Sequence, residues 1–149
     1  MGLFYDEGVP GACSSNTRLA LEYYHRAADY LPDSMHNIAK IFEDGRAPGD
    51  TDLARQENIK SAISLYSIAA ARGFVLSQVN LGRLFLLGEE SVDRDREAGK
   101  RLLVLAAESG DADAQMVLGM IHATTVNRIR LSLHSYVLIT SDTLFTVGF

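Results

Sequence analysis

The 149-residue chain has a single cysteine, Cys13. One thiol excludes an intrachain disulfide and a cysteine-based zinc site, and it fits a reducing compartment. No basic start followed by an apolar run is present, and no run of roughly eighteen uncharged apolar residues. Neither a signal peptide nor a membrane span is therefore expected, and a cytoplasmic setting is favoured. The formal charge is -5, and no basic stripe with interleaved aromatics occurs. That balance argues against a nucleic-acid surface. No His-Glu-x-x-His, glycine-rich phosphate loop or serine elbow appears, and no Asn-x-Ser/Thr acceptor. These absences predict a chain without a cofactor, a metal or a catalytic centre.

What is present is an ordinary globular composition, 47% hydrophobic, in a chain long enough to bury roughly 70% of its unfolded surface. One dipeptide context recurs. Tyr24-His25-Arg26-Ala27-Ala28, Tyr66-Ser67-Ile68-Ala69-Ala70 and Leu103-Val104-Leu105-Ala106-Ala107 are spaced by about 40 residues. Each ends one helical pattern and precedes another. Such a period marks a helical solenoid whose units bury their faces only against neighbours.

Superposed, the units agree slot by slot. Gly2, Ala39, Gly82 and Gly119 share a small slot, where two helices can approach closely. Ser34, Ser77 and Ala114 share another, five residues earlier. Phe4, Ile41, Leu84 and Ile121 form an apolar slot, expected to be buried in register. With Ile38, Leu81 and Leu118, and with Tyr5, Phe42, Phe85 and His122, they complete the i, i+3, i+4 stripe of an amphipathic first helix. Gly8, Gly45 and Gly88 then act as helix stops. The fourth unit has Thr125 there, where the pattern fails. Asn16, Asn58 and Asp95 stand as caps four residues before Ala20, Ala62 and Gly99, opening the second helices. Gly73, Gly110 and Leu31-Pro32 close them. This pattern predicts helices at roughly 1–7, 17–30, 34–44, 59–72, 76–87, 96–109 and 112–123. A long loop from Gly45 to Asn58 turns at Pro48-Gly49-Asp50.

These slots resemble the Sel-one-like repeat family, short relatives of the tetratricopeptide repeat with one α/α hairpin per unit. The clearest text is Leu81-Gly82 through Gly88, Asp95 and Ala106-Ala107-Glu108-Ser109-Gly110, then Ala114-Gln115-Met116-Val117-Leu118-Gly119. The first unit keeps an aromatic pair, Tyr23-Tyr24. Departures are packing-sized: Leu102-Leu103 stands for the aromatic pair, Gly99 for an alanine and Ala39 for a glycine. The resemblance implies an all-α fold, a right-handed α/α superhelical solenoid over about residues 1–123. That is about three and a half units, the first truncated as though the array were already in progress at Met1-Gly2. It also implies a scaffold or adaptor for protein assembly, with a protein or peptide as the partner. The alternatives are a purely structural segment of a longer array and, less favoured, a hydrolase using Cys13 with a distant histidine such as His25.

Residues 124–149 form an atypical tail. Arg128, Arg130 and Asp142 are its only charges. Ile129, Leu131 and Leu133 alternate with polar residues, and Tyr136 to Ile139 is continuously apolar, a pattern nearer to strand than helix. The expectation is a weakly packed segment or a cap folded over the last repeat, with contact to a partner or membrane a remote third.

Other chemistry resolves into ordinary structure. Glu22 and His25 lie one turn apart, but a di-iron site needs two such pairs and two more glutamates. Asp93, Asp95 and Glu97 alternate as in a calcium loop, without its central glycine or closing glutamate. His36, His122 and His134 show no ligand spacing. The remaining candidate is a recognition stripe. Asn37 and Asn80 share one slot, and Lys40 and Arg83 share the slot three residues on, both off the apolar stripe of the first helices, which are expected to line the inner surface of the solenoid. An amide and a cation one turn apart can hold an acidic side chain or a C-terminal carboxylate of a bound peptide. The alternative is an ordinary solvated face.

Overall fold

A computed structural model describes residues 1–8, 16–47, 52–88 and 94–145, with side chains up to Arg128 except those of Phe4, Asp52 and Leu53. The described residues form helices α1 (Gly2–Glu7), α2 (Thr17–Ala28), α3 (Pro32–Glu43), α4 (Asp52–Ala71), α5 (Val75–Leu87), α6 (Arg96–Glu108) and α7 (Ala112–Phe145), with no strand among them. Each helix packs chiefly on its neighbours in sequence. α1/α2, α3/α4 and α5/α6 are α/α hairpins stacked into a solenoid, and α7 opens a fourth unit.

Local chemistry sets the helix ends. Asn16 Oδ1 accepts from the Leu19 amide at 3.1 Å and Asp95 Oδ1 from the Ala98 amide at 2.9 Å, so two of the expected caps form. Asp111, which the repeat alignment does not single out, caps α7 through the Ala114 amide at 2.8 Å. Gly8, Gly45 and Gly88 all take positive φ, as do Gly73 and Gly110, so each expected glycine stop enters the left-handed region. Asn58 does not start its helix. α4 begins at Asp52, because Leu53, Ala54, Arg55, Gln56 and Glu57 are strong helix formers and carry the helix upstream. The Pro48-Gly49-Asp50 turn lies outside the described residues.

The core runs along the stack in three linked clusters. Ala20, Tyr24, Ile38 and Ile41 join the first unit to the second. Ala39, Ala62, Tyr66, Ala70, Leu81 and Leu84 join the second to the third. Leu103, Ala106 and Ala114 join the third to the fourth. Ile41 and Leu84 are fully or nearly fully buried, as their register requires, and Ile121 is half-buried. Phe4, the first member of that slot, lies outside the described side chains.

The shared small slot is where paired helices touch. A Cβ at Gly2 would fall into the Tyr24 ring, and one at Gly82 would lie 3.0 Å from the Gly99 carbonyl oxygen. From the other side, a Cβ at Gly99 would lie 2.7 Å from the Gly82 oxygen. α5 and α6 therefore meet backbone to backbone. At Gly119, in the same slot, a Cβ would meet nothing within 4 Å. The helix that would cover it in a complete unit is absent among the described residues.

The tail departs from its strand-like pattern. α7 runs on through Phe145, passing Thr125 where the other units stop. Without a glycine there the helix has no reason to end, and extending a formed helix costs far less than starting new structure. The β-branched residues that suggested a strand carry only a weak intrinsic preference, which context overrides. The six side chains from Ala123 to Arg128 are exposed.

A polar groove between the first helices

The first helices of neighbouring units, α3 and α5, border a groove of about 260 Å³. It is lined by His36, Lys40, Glu43 and Asp44 from α3 and its C-terminus, and by Leu76, Asn80 and Arg83 from α5. The helical period explains the lining. His36, Lys40 and Glu43 rise on one face of α3 beside the buried Ile38 and Ile41, and Leu76, Asn80 and Arg83 do the same on α5.

Three of the four candidate recognition residues thus meet in one place. Lys40 is exposed at the rim. Asn80 Nδ2 donates to Tyr66 Oη at 3.2 Å, and Tyr66 Oη donates to Glu43 Oε2 at 2.7 Å. Arg83 Nη2 donates to Glu43 Oε1 at 3.1 Å. Asn37 is half-buried and is not part of the groove lining. The repeat alignment did not mark Glu43, the hub of this network, yet its slot carried a signal. Asp6 occupies the same slot in the first unit and pairs with Arg46 at 2.6 Å. In both places an acid near the end of a first helix holds an arginine of the next unit.

The groove floor is held by buried groups. His36 Nδ1 and Ser77 Oγ are 3.0 Å apart, tying α3 to α5. The imidazole packs against the Tyr66 and Phe74 rings, with centroids at 5.3 and 5.1 Å. Burial first, and then the Lys40 cation, hold the His36 pKa down at about 4, against a smaller opposing effect of Asp33. His36 is therefore neutral at pH 7. Burial and the Glu43 carboxylate push the Tyr66 phenol up, so it stays a donor. Ser77 is fully buried, which places its hydroxyl out of reach of a substrate despite the histidine beside it.

The remaining candidates are distributed as follows. Glu22 and His25 are both exposed on α2. Cys13, Asp93 and His134 lie outside the described residues or side chains, so neither the cysteine hydrolase nor the first member of the acidic triplet can be placed. Asp95 caps α6 and Glu97 pairs with Lys100 at 3.3 Å. Among the described residues no three His, Cys, Asp or Glu side chains cluster as a metal site, and no helix is long and apolar enough to cross a membrane.

The chain is similar to several known proteins. "Protein sel-1 homolog 2" of Homo sapiens is 33% identical over 89 residues, which cover 54% of this chain and 12% of that protein. The chain thus spans about an eighth of that relative's length. A crystal structure of c5321, a protective antigen of uropathogenic Escherichia coli strains with an SLR fold, aligns with a TM-score of 0.71 at 23% identity, covering 83% of this chain and 25% of that one. The crystal structure of a Sel1 repeat protein from Oxalobacter formigenes aligns with a TM-score of 0.62 at 25% identity, covering 79% and 82%. The Sel1 repeat family matches at residues 1–29, 32–74 and 75–111, the same three hairpin units that the packing defines, and the chain belongs to that family.

Proposed function

We propose that the protein is a non-enzymatic scaffold that holds a peptide segment of a partner protein against the inner surface of the solenoid. The observation that carries this reading is the convergence of Lys40, Asn80 and Arg83 on one groove between α3 and α5. Arg83 uses one nitrogen on Glu43, and a guanidinium has five N–H donors, so capacity remains for an incoming carboxylate. Lys40 stands exposed across the groove. Glu43 and Asp44 balance the two cations locally, so recognition here requires a carboxylate placed between Lys40 and Arg83 with apolar contact beside it. Exposed ion pairs alone contribute little.

The test is affinity capture with the wild-type chain beside a Lys40→Ala/Arg83→Ala double variant. Partners retained by the wild type and lost from the variant are expected. Identical partner sets would remove these two residues from the recognition site.

A further inference from the structure

The face between the first helices changes character one unit further along. The slot pair Asn37/Lys40 and Asn80/Arg83 becomes Val117/Met120 in the fourth unit. The acidic slot, Asp6 and Glu43 in the first two units, becomes Leu86 in the third. The acid that holds an arginine of the next unit is thus replaced by an apolar side chain.

The result is a second groove, of about 420 Å³, where α5, the start of α6 and α7 meet. Leu86, Leu87, Val117, Met120 and Ile121 give it an apolar base, and Arg83, Arg94, Arg96 and Lys100 stand around it. No carboxylate is among its described lining residues. Arg94 Nε donates to the Leu86 carbonyl at 2.9 Å, which ties the guanidinium to α5. Lys100 shares an exposed pair with Glu97, of the kind that exchanges at little cost. Met120 and Leu87 are 61% and 63% exposed, so the apolar base faces solvent. Four cations gathered in a chain of net charge -5 run against its overall balance. Glu89, Glu90 and Asp93 precede Arg94 in sequence and lie outside the described residues.

We propose that this second groove binds a partner segment in which apolar side chains are flanked by acidic ones. The apolar residues would rest on Leu86, Val117, Met120 and Ile121, and the carboxylates would meet Arg94, Arg96 and Lys100. Charge complementarity selects this occupant: an apolar groove rimmed by cations favours an acidic-apolar peptide and repels a basic one. Arg83 lines both grooves, so one extended segment can place a carboxylate at Lys40 and Arg83 and its apolar residues further along. The inference rests on the scaffold reading above and adds a subsite of different chemistry to it.

A labelled positional-scanning decapeptide array tests it. Wild-type protein is compared with Met120→Glu, Arg96→Glu/Lys100→Glu and Lys40→Ala/Arg83→Ala variants. Met120 and Arg96 are exposed, Arg96 opens α6 where a carboxylate is favourable, and Lys100→Glu forfeits only an exposed pair, so these variants should fold, which circular dichroism verifies. The wild type should enrich Asp or Glu beside Leu, Ile, Phe or Met, with affinity falling as salt rises. Met120→Glu and Arg96→Glu/Lys100→Glu should each weaken the selected peptide by at least about tenfold. No acidic-apolar enrichment, or enrichment unchanged in both variants, overturns the subsite. Loss confined to Lys40→Ala/Arg83→Ala overturns it too, while leaving the first groove intact. Concentration-dependent self-association of the wild type that Met120→Glu abolishes would assign the groove to a second copy of this chain and overturn a separate partner.

Discussion

Lowering the pH should destabilise this protein through His36. The imidazole is 6% exposed, bridges to Ser77 and lies between the Tyr66 and Phe74 rings. Burial and the Lys40 cation hold its pKa at about 4, below the 6.5 of a free histidine. Between those values the unfolded chain takes up a proton that the folded chain refuses. Stability from this group is complete above pH 6.5 and declines as pH falls toward 4, where the folded state also protonates and the slope levels off. The full difference is about 3 kcal/mol, of which about 2 kcal/mol is already lost by pH 5. Carboxylates titrate near the low end of this window, so a single pH curve does not isolate the histidine. Urea unfolding should be run from pH 7.5 to 4.5 on wild type and on His36→Gln, which preserves a hydrogen-bonding group for Ser77. The gap between the two curves should change by about 2 kcal/mol between pH 7.5 and 5, the wild type losing more. Parallel curves would refute the buried neutral histidine.

Four further outcomes follow from the structure. Tyr66→Phe removes the hydroxyl between Glu43 and Asn80 and should cost about 1–3 kcal/mol in urea unfolding, and an unchanged midpoint would mean water replaces it without loss. Gly119→Ala, with open space at its Cβ, should be neutral or stabilise by up to about 1 kcal/mol, because alanine favours the helix. Gly99→Ala should destabilise despite the same propensity gain, since its methyl would press on the Gly82 carbonyl oxygen, and equal melting temperatures for the two variants would contradict the close α5–α6 contact. Trypsin should cut first at or beyond Arg128, leaving the hairpin units intact, whereas first cuts within α4 to α6 would show the stack to be the weaker part.

The fold was largely legible because a repeat states each constraint several times. One small residue is weak information, but Gly2, Ala39 and Gly82 at one offset, each facing a residue of the second helix, describe a helix contact. Legibility failed where a signal occurred once or competed with another. Asn58 matched the cap slot, yet the helix formers before it moved the start of α4 to Asp52. The tail had alternating β-branched residues, but no glycine at Thr125 to release the chain from the helix already formed.

The candidate site was legible only in outline, for a physical reason. Slot alignment finds residues that repeat, whereas a groove is defined by what two adjacent units bring from different slots. Lys40, Asn80 and Arg83 were visible as a stripe, but Glu43 turns that stripe into a network, and it belongs to another slot. His36 looked like one histidine among four until the serine of the next unit was placed beside it. The same logic makes departures from the repeat informative. Where the acid of the first two units becomes Leu86, and the asparagine and cation become Val117 and Met120, the first helices keep stacking while the chemistry of the face between them changes from polar to apolar. Packing slots must stay constant for the stack to form. Slots between the first helices are free to differ, and any specificity for a partner has to reside in those differences.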